Sequence, residues 1–116
     1  MIDYDAALER CAGSHQVLAM VLEEFAASTA NIEQDLETLV KSMRFEELAR
    51  QAHSLKGASG NIGAEALSAK AGTLEEAAKK SLPEGMEETV RSISEELRAI
   101  HKVIDRLRAE SQGAAS

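Results

Sequence analysis

Residues 17–43 read VLAMVLEEFAASTANIEQDLETLVKSM. Within them Leu18, Leu22, Phe25, Thr29, Ile32, Leu36, Leu39 and Met43 recur at steps of four and three. That spacing places them on one stripe of an α-helix, which must be buried against neighbours. Ser14, after Gly13, is an expected N-cap, because its hydroxyl can take an orphan amide of the first turn. A helix over 14–42 would be roughly 40 Å long. Thr29 is the polar break in the stripe, and Ser28-Thr29-Ala30-Asn31 can cap a fresh start. The stretch therefore predicts one bent helix or two nearly collinear ones.

The same periodicity recurs on both sides. Phe45, Leu48, Ala52, Leu55, Ser59 and Ile62 mark a second helix, with Gly60 and Gly63 as termination signals. Leu67, Ala71, Leu74 and Ala78 mark a third. Ser81-Leu82-Pro83-Glu84 reads as a capping box around a first-turn proline. It opens a last helix over Met86, Val90, Ile93, Leu97, Ile100, Ile104 and Leu107. A short opening helix carries Tyr4, Ala7, Leu8 and Cys11. The expectation is an all-α fold, an antiparallel up-down four-helix bundle with a short N-terminal capping helix. The domain should occupy 1–110, and the small polar residues 111–116 should form a flexible tail.

Composition excludes several classes. The chain has 116 residues, enough for one core. Aromatics make up 3% and proline occurs once, against an all-β sandwich. The formal charge is −7, where a protein that neutralises phosphate backbones should be basic. Nucleic acid is therefore not an expected partner. The single Cys11 has no CxxC companion. No apolar run of about 18 residues encodes a membrane span, and the acidic start is no signal peptide. A cytoplasmic, monomeric protein is expected, or the cytoplasmic end of a longer membrane-bound chain. The charge is uneven: residues 1–43 carry −6, 44–60 carry +1, 61–83 carry 0 and 84–116 carry −2.

The one positive segment holds a histidine off the apolar stripe. His53 lies about 100° round the helix from Ala52. Its same-face neighbours are Ala49, Arg50, Lys56, Gly57 and Gly60. A helical glycine costs about 1 kcal/mol relative to alanine. Two of them beside an exposed imidazole leave ground for something to approach closely. Lys56, one turn on, disfavours the imidazolium and can offset the charge of an arriving phosphoryl group. This pattern suits nucleophilic phosphoryl capture. His15 reads as a surface residue and His101 as partly buried at the edge of the last stripe. No metal is expected: a bundle di-metal site needs Glu three residues before His, and those positions hold Ala12, Arg50 and Arg98.

The run His53-Ser54-Leu55-Lys56-Gly57, with Ile62-Gly63 downstream, closely resembles the signature of histidine-containing phosphotransfer (HPt) domains. Asp5, Leu8 and Gly13 resemble the family's opening segment, Leu22 and Phe25 its first long helix, and Leu74-Glu75 the helix after the phosphorylated one. The likeness covers about residues 3–108. It implies a phosphocarrier that takes phosphate from one receiver aspartate and passes it to another, in a two-component phosphorelay. His53 would be phosphorylated, Lys56 would stabilise the phosphoryl group and Gly57 would admit the receiver. Ala49, Arg50, Gly57 and Gly60 would face that partner. Glu75 stands where several family members use Gln. An ionised carboxylate cannot donate, but it can accept from the imidazole N–H and fix its tautomer, while repelling phosphate. The partners implied are response-regulator receiver domains or a hybrid sensor histidine kinase. Magnesium is expected on the receiver, with no cofactor and no ATP site here. Two rival readings are a plain helical interaction module and the phosphotransfer domain of a chemotaxis-type kinase. The first leaves His53 and its glycines unexplained, and the second needs an ATP-binding domain.

Overall fold

The computed structural model describes residues 2–115, with side chains through residue 110. It is all-helical, and among the described residues there is no strand. Among the described residues six helices follow one another: α1 (Tyr4–Arg10), α2 (His15–Ser28), α3 (Ile32–Lys41), α4 (Phe45–Asn61), α5 (Glu65–Lys79) and α6 (Met86–Ala115). The long axis of 50 Å is close to the roughly 45 Å of a 30-residue helix, so α6 runs nearly the length of the molecule. No described helix is long and apolar enough to cross a membrane. Residues 111–115, expected as a flexible tail, continue α6, and Ser116 lies outside the described residues.

The apolar stripes form a single core. Leu18, Leu22 and Phe25 of α2 and Leu36 and Leu39 of α3 meet Leu48 and Leu55 of α4, Leu67 and Leu74 of α5, and Ile93 and Ile100 of α6. The stretch 14–42 is two helices. The break falls at Thr29, which is buried and holds the α2 C-cap position. Its hydroxyl donates to the Phe25 carbonyl at 2.7 Å. It therefore accepts from His101 Nε2 of α6 at 2.8 Å. A polar residue survives in the core because both its roles are filled. Asn31 stands at the α3 N-cap without a side-chain cap bond.

α4 and α5 pack most extensively. Small residues stand where they meet: an added Cβ at Gly72 of α5 would lie 3.3 Å from Lys56 Cδ, one at Gly60 of α4 would lie 3.8 Å from Ser68 Oγ, and the Ser68 hydroxyl donates to the Lys56 carbonyl at 3.0 Å. Small side chains let helix axes approach closely. The turn between them is tight. Gly63 N–H donates to the Gly60 carbonyl and Ala64 N–H to that of Ser59, which closes α4 with Gly63 at φ +71°. Asp3 N–H donates to the Gly63 carbonyl at 2.8 Å, and Arg10 donates to the Gly60 carbonyl. α1 is thus docked on the α4–α5 turn.

Two local expectations fail. Ser81 does not cap α6; it ends α5 at φ +52°, with Leu82 N–H on the Ala77 carbonyl, and α6 starts after Gly85. The end of α5 claims the residue first. Met43, placed on the stripe, is 61% exposed, because it too adopts a left-handed turn (φ +56°) that swings it off the helix.

Candidate functional site

His53 projects from α4 with its side chain 67% exposed. Across the α4–α5 contact stands Glu75, whose side chain is 4% exposed. The close approach of the two helices brings His53 Nδ1 to 2.9 Å from Glu75 Oε2. Lys56 Nζ donates to the other oxygen, Oε1, at 2.8 Å. Lys79, one turn after Glu75 on α5, places Nζ 3.2 Å from Oε2. One buried carboxylate therefore serves three nitrogen groups.

The electrostatics follow. The hydrogen bond from Lys56 is the main cause that holds the Glu75 carboxyl far below its ordinary 4.5, at about 2. Burial opposes this, and the bonds from Lys79 and His53 reinforce it. An ionised carboxylate only accepts, so His53 Nδ1 carries the proton. In the neutral ring Nε2 then holds the lone pair. Glu75 stands within hydrogen-bond distance of the ring, on the Nδ1 side. Lys56, placed by the sequence one turn after His53, is turned toward Glu75. Its carbon stem crosses Gly72 of α5, where an added Cβ would lie 3.3 Å from Lys56 Cδ, and its ammonium is bonded to Glu75. The ring meets a carboxylate, and the lysine is paired to that carboxylate.

The two glycines near His53 differ. Gly57 is exposed, and a Cβ built there would meet nothing within 4 Å. Nothing among the described residues requires a glycine at that position. Gly60 is half-buried, and its Cβ would lie 3.8 Å from Ser68 Oγ. Its carbonyl takes the Gly63 and Arg10 donors, so it belongs to the helix end. Ala49 is half-buried. Arg50 is exposed and lines a surface groove with Gln51 and Ser54 that reaches the α2–α3 break at Ser28 and Asn31. Lys79 was missed in the sequence. Its only signal is the (i, i+4) spacing from Glu75, shared by many surface pairs. Among the described residues no cluster of three His, Cys, Asp or Glu side chains could hold a metal.

The family model of the Hpt domain matches residues 16–110. The chain belongs to the Hpt domain family. The Hpt assignment makes it a histidine phosphotransfer module of phosphorelay signalling, whose partners are receiver domains. The crystal structure of histidine-containing phosphotransfer protein B (HptB) from Pseudomonas aeruginosa PAO1 is similar, with a TM-score of 0.85. The match covers 94% of this chain and 95% of that one, at 19% identity. At that identity the likeness speaks for the fold of this Hpt domain. No curated protein matches it significantly.

Proposed function

We propose that His53 is the phosphorylated residue and that Nε2 is the atom that carries the phosphoryl group. The observation that supports this is an exposed ring whose Nδ1 proton is committed to a buried carboxylate. The Nε2 lone pair forms the N–P bond as the P–O bond to the receiver aspartate breaks, and that electron pair returns to the aspartate oxygen. No proton has to leave the ring, because Nδ1 keeps its own on Glu75. Transfer to the next receiver reverses these steps. The chemistry asks for positioning and charge neutralisation. Lys56 offsets the phosphoryl charge, and Gly57 gives the receiver room.

In this reading the receiver brings the magnesium ion, and the domain uses no nucleotide of its own. It works as a cytoplasmic phosphocarrier. α2 with α3, then α4, α5 and α6, serve as the four arms of an antiparallel bundle with α1 at one end.

The test is label transfer from a phosphorylated receiver. The wild-type chain should acquire an acid-labile, alkali-stable adduct, as a phosphohistidine does, and His53→Gln should acquire none. Label on His53→Gln would refute the assignment.

A further inference from the structure

Glu75 poses a problem that the proposed function leaves open. A carboxylate that orients His53 also repels the incoming phosphoryl group. Lys56 cannot solve this alone. It is bonded to Oε1 of Glu75 through a stem laid across Gly72, which directs its ammonium back toward α5. As it turns to a phosphoryl group on Nε2, its ammonium is shared with that group or drawn off Oε1, and the pairing of Glu75 weakens. A buried carboxylate stripped of its counter-ion is costly, and its uncompensated charge would face the phosphate.

Lys79 is placed to prevent this. It rises from α5 itself, one turn after Glu75, and approaches Oε2, the oxygen that also accepts from His53 Nδ1. It needs no contact with α4 and no movement when the phosphoryl group arrives. Two ammonium groups stand against one carboxylate, so one can depart and leave the other paired. Resting on the assignment of His53, we propose that Lys79 is a positioning residue: it stays as the counter-ion of Glu75 when Lys56 is released to the phosphoryl group. Lys79 acts through Glu75 and does not touch the phosphate.

That division of labour makes a prediction that a direct phosphate contact does not. Remove the charge of Glu75, and Lys79 should cease to matter. The test uses the 116-residue chain and phosphoramidate, a small phosphoryl donor that needs no receiver, with uptake followed by 31P NMR. Lys79→Ala should slow uptake about two- to fivefold, the upper part of the range of an exposed ion pair. Lys79→Arg should return the rate to within about twofold of wild type. In a Glu75→Gln background, Lys79→Ala should change the rate by less than about twofold. Wild-type uptake by Lys79→Ala overturns the proposal, and so does failure of Lys79→Arg to restore it. Equal losses in the two backgrounds overturn it in favour of direct contact with phosphate. Uptake by His53→Gln would instead remove the reading on which all of this rests.

Discussion

His53 and Glu75 divide exposure between them: a ring 67% exposed is hydrogen-bonded at 2.9 Å to a carboxylate only 4% exposed. The reactive group faces solvent, and the group that orients it does not. A buried anion would be unfavourable alone, so the site supplies Lys56 and Lys79 as counter-charges. The close approach of α4 to α5 makes the His53 and Lys56 bonds possible, while Lys79 reaches Glu75 along α5 itself.

The Glu75 carboxyl titrates at about 2 in the fold, against an ordinary 4.5. A depressed carboxyl stabilises the fold above its unfolded value and loses that contribution as the pH falls. Wild type should thus be more stable than Glu75→Gln at pH 7. The difference should shrink as the pH falls below 4.5 and vanish near 2. Glu23 and Glu96 are also lowered, by Arg108 and Lys70, but they are common to both proteins and cancel. Thermal unfolding of the pair between pH 7 and pH 2 measures this. A gap that stays constant across the window would contradict it.

Lys56→Ala should slow phosphoryl uptake roughly ten- to hundredfold, as loss of a charged stabiliser does. Helicity should stay at the wild-type level. The side chain is 42% exposed, lies off the apolar stripe, and leaves Glu75 with Lys79 and His53. Circular dichroism and label uptake on one preparation separate the two effects. A large loss of helicity would show that Lys56 is part of the scaffold.

What the sequence disclosed follows the range of each interaction. The buried stripes and the off-stripe position of His53 depend on helical period, and they were legible. Glu75 lies 22 residues from His53 on the next helix and was visible only through the resemblance to the HPt family. Thr29 could be seen as a weak point, but its partner His101 is 72 residues away, so the break was undecided. Lys79 matters because α4 approaches α5 closely enough to deliver His53 and Lys56 to the same carboxylate. No spacing within α5 reveals that approach. Ser81 shows competition between two local signals, where the end of α5 prevailed over the start of α6.

Gly57 is a helix-interior glycine with open space where a Cβ would go. Gly57→Ala should therefore raise stability by about 0.5–1 kcal/mol, the helix propensity difference. Gly57→Leu should also fold, yet it should slow transfer from a receiver by roughly tenfold or more through bulk at a docking surface. Uptake from phosphoramidate should be nearly unchanged, because the small donor needs no docking. Equal transfer from a receiver in Gly57→Leu and wild type would remove the steric role assigned to this glycine.

Gly63 is the opposite case. Its φ of +71° costs an L-residue about 1–2 kcal/mol, which Ala12, Met43 and Ser81 bear at comparable turns. At Gly63 there is also no space: an added Cβ would lie 2.6 Å from the Asp3 carbonyl oxygen and 2.9 Å from Asp3 Cβ. Backbone cannot yield as a flexible side chain can. Asp3 also caps α1, accepting from Ala6 N–H at 3.1 Å, so displacing it loosens the whole opening helix. Gly63→Ala should thus cost about 2–4 kcal/mol, read as a lower midpoint in urea unfolding. The α1 amides should exchange faster with solvent, while those of α4 around His53 change little under native conditions. Phosphoryl uptake by the folded fraction should remain, because Gly63 makes no contact with the Glu75 cluster. A loss below about 0.5 kcal/mol would mean that the Asp3 contact is not fixed in solution.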